Sequence, residues 1–140
     1  MPFDPTSLKY DSDGLIPCVA QDHATGQVLM LAWMNAASVA ETLASGQVTY
    51  WSRARQALWA KGATSGHLQR LVELRVDCDR DSLLALVIQS GPACHTNRQN
   101  CFYWQTDRDL SPEDYERIFL HRHELTTDVI TDVLMRGITT

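Results

Sequence analysis

Long apolar runs are missing from this chain: no stretch approaches the ~20 residues that a membrane-spanning helix needs. The opening Met1-Pro2-Phe3-Asp4-Pro5 has neither the basic nor the apolar region of a secretory signal. Both absences lead us to expect a cytoplasmic protein with no membrane partner. Lysine is scarce, present only at Lys9 and Lys61, and 12 basic residues against 17 acidic ones leave a formal charge of -5. That balance speaks against general attraction to nucleic acid or to an anionic membrane. A local group of cations and backbone N–H groups can still hold a phosphate on an acidic protein. The four cysteines form no Cys-x-x-Cys pair, which disfavours a common zinc knuckle, and a reducing compartment disfavours a disulfide framework. Internal repeats and low-complexity tracts are absent too, so 140 residues with 44% hydrophobic content read as one core-forming domain.

What is present is a succession of short elements. After a loose polar lead-in over residues 1–14, Leu15 to Ala20 suits a strand, Asp22-His23-Ala24-Thr25-Gly26 a hairpin turn, and Val28 to Trp33 a buried second strand. Asn35 is a natural N-cap for a helix running to Ser45 and stopped by Gly46, with Val39, Leu43 and the alanines turned inward. Val48-Thr49-Tyr50-Trp51 forms the next strand and leads into the polar loop Ser52-Arg53-Ala54-Arg55. A second polar loop runs from Lys61 to His67. From Leu71 to Asp77 the residues alternate, with Val72, Leu74 and Val76 on one face and Glu73, Arg75 and Asp77 on the other. Leu83 to Ile88 is a further buried strand. Beyond Trp104, Ser111-Pro112-Glu113-Asp114 opens a helix and Thr127 to Arg136 a second one. The expected architecture is α+β: a mainly antiparallel sheet with one or two supporting helices in residues 1–104, and a helical C-terminal extension, 105–140, that is not a domain of its own.

Reactive side chains concentrate between Asp77 and Trp104. Cys78, Cys94 and Cys101 are either small buried hydrophobes or, given the polar loop between the last two and the adjacent His95, soft ligands for a metal such as Zn²⁺. Asp77, Asp79 and Asp81 are either a solvated hairpin tip or, if the backbone stays extended, three carboxylates on one face that call for a hard divalent cation, with Cys78 on the opposite face. Ser52, Arg53 and Arg55, together with Lys61, Thr64, Ser65 and Gly66, supply the guanidinium forks, hydroxyls and close N–H approach of an anion pocket. His67 closes that second loop. Trp33, Trp51 and Trp59 suit core or pocket wall, and Cys18 suits packing.

These segments together resemble the phosphoribosyl-AMP cyclohydrolase family of histidine biosynthesis. The resemblance runs over residues 14–104 and is carried by Gly14-Leu15-Ile16-Pro17, Val28 to Asn35, Tyr50-Trp51-Ser52-Arg53, Leu58-Trp59-Ala60-Lys61-Gly62 with Thr64-Ser65-Gly66-His67, and the whole of Asp77 to Trp104. It implies hydrolytic opening of the adenine ring of phosphoribosyl-AMP at the bond between N1 and carbon 6. It implies Zn²⁺ on Cys78, Cys94 and Cys101, Mg²⁺ on Asp77, Asp79 and Asp81, and an intertwined homodimer whose metal site is shared between chains. Zinc would lower the pKa of its water, and since three thiolates blunt that effect a helper base is expected, His95 first and His67 second. A rival role for His95 is a fourth zinc ligand in a closed structural site. Two positions depart from the family's usual Thr-Gly-Arg and Ser: Asn97 and Asn100. Asn tolerates positive φ, so the turn at Asn97 can be kept. The competing function class is a non-catalytic, zinc-stabilised module for a phosphorylated ligand or protein partner. A nucleotide deaminase would require a His-x-Glu motif and Pro-Cys-x-x-Cys, which the chain lacks.

Overall fold

The computed structural model describes residues 3–107. Met1–Cys101 forms one compact unit and a second begins at Phe102. The expected helices at Ser111 and Thr127 lie outside the described residues. Among the described residues no helix is long and apolar enough to cross a membrane.

A 3-10 turn at Pro5–Ser7, capped by the Asp4 side chain, is followed by β1 (Ile16–Asp22), β2 (Val28–Met34), α1 (Ala36–Ser45), β3 (Thr49–Ser52), β4 (Ala57–Ala60), β5 (Gln69–Val76) and β6 (Leu83–Gln89). The larger sheet has the order β2-β1-β6-β5, and β3-β4 is a separate two-stranded ribbon. Every pairing is antiparallel except the central one, where β1 and β6 run parallel. The α+β, mainly antiparallel expectation therefore holds. One strand, β4, was not foreseen.

The inner face of the sheet follows from strand alternation. Met30, Ala20, Ala85 and Leu74 lie in one row across the four strands, and Ala32, Cys18, Leu83 and Val76 in the next. Tyr50, Val48, Val39, Met34 and Leu8 complete the core over this face. On the outer face the row Leu31, Val19, Leu84 and Arg75 crosses the sheet, and Leu31 is 49% exposed.

Helix α1 begins and ends where its caps dictate. The Asn35 side chain accepts the Ser38 N–H at 2.9 Å and the Ser38 hydroxyl accepts the Asn35 N–H at 2.8 Å, a reciprocal cap of a kind worth about 1 kcal/mol. Gly46 stops the helix at φ 74°. Its inner face differs from expectation: Ser38, Val39 and Thr42 are buried, whereas Leu43 is 39% exposed and Ala37, Ala40 and Ala44 face out. The reason is a polar seam, since the Thr42 hydroxyl accepts the Thr49 N–H at 2.9 Å and donates to the Ser38 carbonyl at 2.8 Å.

Two further expectations are corrected. Val72 does not share a face with Leu74 and Val76, because the β5–β6 register shifts between Leu71 and Glu73 and leaves Val72 unpaired and 44% exposed. A β-bulge of this kind inverts the alternation on one side of itself. Nor does the aspartate segment stay extended. β5 stops at Val76, and the Asp77 side chain captures the N–H groups of Asp81 at 2.9 Å and Ser82 at 3.1 Å, folding 77–82 into the turn that closes the β5–β6 hairpin.

Candidate active site and metal centre

The loops that follow β4 and β6 face each other across a cleft of about 270 Å³, whose walls include Arg55, Lys61, Thr64, Ser65, His67, Cys94 and His95. Seven of the residues singled out from sequence thus share one cavity. Trp59, Gly62, Pro92 and Asn97 are also part of its lining. Ser52, Arg53 and Gly66 do not line it. Arg53 instead stacks its guanidinium over Trp33, 5.0 Å from the ring centroid, and faces a neighbouring cleft with Asp13 and Trp51. The Ser52 hydroxyl accepts the Arg55 N–H at 3.2 Å and so shapes the β3–β4 turn. Gly66, at φ 81°, donates its N–H to Gly62 and closes the second loop.

Glycine is required at position 62 for two reasons. Its φ is 83°, and a Cβ there would stand 2.3 Å from the main-chain carbon of His67. The loop from Lys61 to His67 is therefore folded back on itself at main-chain contact, which aims Thr64 and Ser65 at the cavity. Within this cleft the Lys61 ammonium donates to the Ala93 carbonyl and stands 5.3 Å from the Trp59 ring centroid. Partial burial lowers its pKa, against the pull of Cys101 and Cys94 close by. In the sequence, the placement of one of only two lysines inside this loop was the available signal.

Cys94 and Cys101 come together because the chain between them turns tightly. Cys94 N–H bonds the Arg98 carbonyl at 3.2 Å, Asn97 N–H bonds the Cys94 carbonyl at 3.0 Å, and Asn97 adopts φ 67° as expected of its side chain. Asn100, the other departure from the family pattern, is buried. Cys101 N–H bonds Leu29 O at 2.8 Å, pinning the end of the loop to β2. Burial pushes the Cys94 thiol up, but the Thr96 hydroxyl donated to its Sγ at 3.0 Å, with the Thr96 N–H, Cys101 and Lys61, outweighs this and brings it below the ordinary thiol value. Cys101 is pushed up to about 11, by burial first and then by Cys94. Of these two thiols, Cys94 is the one whose surroundings favour the thiolate. Cys18, in the core, is pushed up to about 12 by burial and is a packing residue.

Cys78 is found elsewhere. Ligand atoms of Asp77, Cys78 and Asp79 lie within 4.8 Å of one another, so the turn puts the thiol on the same side as two carboxylates, contrary to the extended-strand expectation. Among the described residues no other group of three His, Cys, Asp or Glu side chains gathers this closely. Ligand atoms of Cys94, His95 and Cys101 are not all within that distance of one another in one chain, and neither are those of Cys78, Cys94 and Cys101. Asp79 and Asp77 push the Asp81 carboxyl up to about 6. Burial raises the Asp77 pKa, but Ser82, Asp79 and the Asp81 and Ser82 N–H groups outweigh it and hold that carboxyl below the ordinary range. Arg80, in the middle of the turn, does not relieve the crowding, because its guanidinium goes to the Ser7 hydroxyl at 2.6 Å. Crowded carboxylates without an arginine fit a divalent cation, and a low-pKa thiol next to a second thiol fits a softer one.

The family model for phosphoribosyl-AMP cyclohydrolase matches residues 30–103. A Cereibacter sphaeroides protein of that name is 72% identical over 103 residues, covering 74% of this chain and 87% of the relative. A Jannaschia protein of the same name is 72% identical over 101 residues, covering 72% of this chain and 85% of the relative. A Ruegeria pomeroyi one is 70% identical over 103 residues, covering 74% and 87%.

Proposed function

The chain belongs to the phosphoribosyl-AMP cyclohydrolase family, and from that premise we propose that it hydrolyses the bond between N1 and carbon 6 in the adenine ring of phosphoribosyl-AMP, a step of histidine biosynthesis in the cytoplasm. The observation that carries the proposal is the single cleft that gathers Arg55, Lys61, Thr64 and Ser65 with His67, His95 and Cys94. Anion-binding groups and proton-transfer groups opening on one cavity are what a phosphorylated base undergoing hydrolysis requires.

Arg55, Thr64 and Ser65 hold substrate phosphate by charge-assisted hydrogen bonds. Arg53, in the neighbouring cleft, serves the second phosphate. The water oxygen bonds to carbon 6 while His95 takes a proton from it. The second water proton passes to the exocyclic nitrogen on carbon 6 as the N1–carbon 6 bond breaks; N1 keeps the electron pair and receives the proton from His95, and carbon 6 remains on the imidazole as a carboxamide. His67, on the same cleft, is the alternative base. Cys94 and Cys101, with Cys78 of a second copy, would hold Zn²⁺, and Asp77, Asp79 and Asp81 would hold Mg²⁺. Zinc held there acts as a Lewis acid that makes hydroxide available near neutral pH.

Two observations support a homodimer with a shared metal site. Cys78 stands apart from Cys94 and Cys101 within one chain. The outer sheet face carries Leu31, Leu84, Leu86 and Ile88, with Leu31 49% and Ile88 42% exposed, an apolar surface of the kind that buries against a partner.

The test is absorbance-monitored turnover of phosphoribosyl-AMP by purified protein. Turnover is expected, lost on chelation and restored by zinc with magnesium. Absence of turnover in metal-replete buffer would overturn the enzyme reading in favour of a zinc-stabilised binding module.

A further inference from the structure

A chain of polar side chains runs through the core and ends beneath the cleft. β5 begins at Gln69 and β6 ends at Gln89, and the two residues pair in register. The Tyr50 hydroxyl donates to Gln69 Oε1 at 2.7 Å, Gln69 Nε2 donates to Gln89 Oε1 at 2.9 Å, and Gln89 Nε2 donates to the His67 carbonyl at 3.2 Å. Tyr50 and Gln69 are fully buried. The direction of the chain is forced, because a main-chain carbonyl can only accept, so both amides must present nitrogen toward His67 and oxygen toward Tyr50. Side contacts agree with that orientation: Gln69 Nε2 also meets Met30 Sδ at 3.4 Å, and Gln89 Nε2 the Ser90 carbonyl at 3.4 Å.

On its other side the His67 ring lies on Gly91, where a Cβ would fall 2.7 Å from Cδ2 of the imidazole. The main chain of His67 is held from below by an amide and its ring from the side by a residue without a side chain. Stability alone does not account for the amides, since replacing both members of a buried hydrogen-bonded pair by apolar groups of similar shape can be close to neutral. What an apolar pair could not do is fix the His67 carbonyl.

We propose that Gln89, oriented by Gln69 and Tyr50, is a positioning residue that sets the His67 imidazole at its working place in the cleft. The proposal deepens the ring-opening function and rests on it for the kinetic part of the test. Displacement of a substrate-facing group by about 1 Å costs up to about a hundredfold in rate. Gln89→Met in the full-length protein is therefore expected to lower kcat by about tenfold to a hundredfold with KM changed by less than about twofold. Combined with His67→Ala it should add almost nothing to the loss caused by His67→Ala alone. A readout independent of turnover is NMR of histidine-labelled protein, in which the ring resonances of His67 shift in Gln89→Met and those of His95 do not. An unchanged kcat, multiplicative losses in the double variant, or an unchanged His67 resonance would each overturn the proposal. If Gln89→Met does not fold, Gln89→Glu keeps the acceptor for Gln69, removes the donor to His67 and carries the same comparisons. Wild-type protein that fails to turn over phosphoribosyl-AMP would end the ring-opening reading, while the His67 resonance would still decide on the relay.

Discussion

Thr42→Val removes one hydroxyl from the seam between α1 and β3 at almost constant volume. In the wild type that oxygen accepts the Thr49 N–H at 2.9 Å in a site that is fully buried on the helix side. Without it the amide has no acceptor and no room for water, which costs about 1–3 kcal/mol. The methyl group that replaces the hydroxyl offsets at most ~1 kcal/mol, so a net loss of about 1–2 kcal/mol is expected. For a chain of this length each kcal/mol lowers Tm by about 4 °C, giving a drop of about 4–8 °C. Denaturant unfolding at one fixed protein concentration is the better assay, because association would otherwise move the apparent stability. The midpoint should fall with an unchanged m-value. Thr42→Ser keeps the hydroxyl and should be the milder substitution. A Thr42→Val protein within about 0.5 kcal/mol of wild type, or no worse than Thr42→Ser, would refute the polar-seam account.

His95→Ala should reduce turnover by about a hundredfold or more while bound zinc, measured by atomic emission, stays at the wild-type level. Loss of zinc together with turnover would instead place His95 among the ligands. In metal-free protein, the onset of modification by iodoacetamide should lie at lower pH for Cys94 than for Cys101, although Cys94 is the more buried of the two and its rate at the plateau should be the lower. Alkylation needs the thiolate, the Cys94 pKa lies below the ordinary value of 9.0, and Cys101 stands at about 11. Cys18, at about 12 and fully buried, should react last. Peptide mapping across a pH series checks the order, and a common onset for Cys94 and Cys101 would refute it.

Local chemistry was legible where it is decided within a few residues. Asn35, Ser38 and Gly46 mark both ends of α1, and Asn97 takes the left-handed turn its side chain permits. The cleft was legible as a set of residue types, since Arg55, Lys61, Thr64, Ser65, His67 and His95 could be named before they were seen to converge. Readings failed where one long-range or side-chain bond overrides a periodicity. A bulge reverses Val72, Asp77 bends the carboxylates out of a strand, and Thr42 turns a helix face that pattern assigned to Leu43 and the alanines. The Tyr50–Gln69–Gln89 chain left its only trace as one glutamine at the start of β5 and another at the end of the apolar β6, and nothing in the sequence said that they face each other. Cys78 illustrates a different limit: residue type marked it as a candidate ligand beside Cys94 and Cys101, but those two follow β6, at the other end of the hairpin from the turn that holds Cys78.

The parallel pairing of β1 with β6 governs when the molecule can finish folding. The β1–β2, β3–β4 and β5–β6 hairpins each close over a short loop, but Ile16–Asp22 meets its second neighbour only after Leu83–Gln89 has been made. Entropy grows slowly with loop length, about 0.6 kcal/mol per doubling, so the finished sheet loses little stability to this arrangement. The nascent chain is in a different position. Until β6 arrives, the β1–β2 hairpin carries an open apolar edge, an invitation to pair with the same edge on a neighbouring chain. Synthesis and folding are thereby coupled through one strand. Because β6 also carries Gln89 and is preceded by the aspartate turn, the groups assigned to chemistry come into register only once the vulnerable edge is covered.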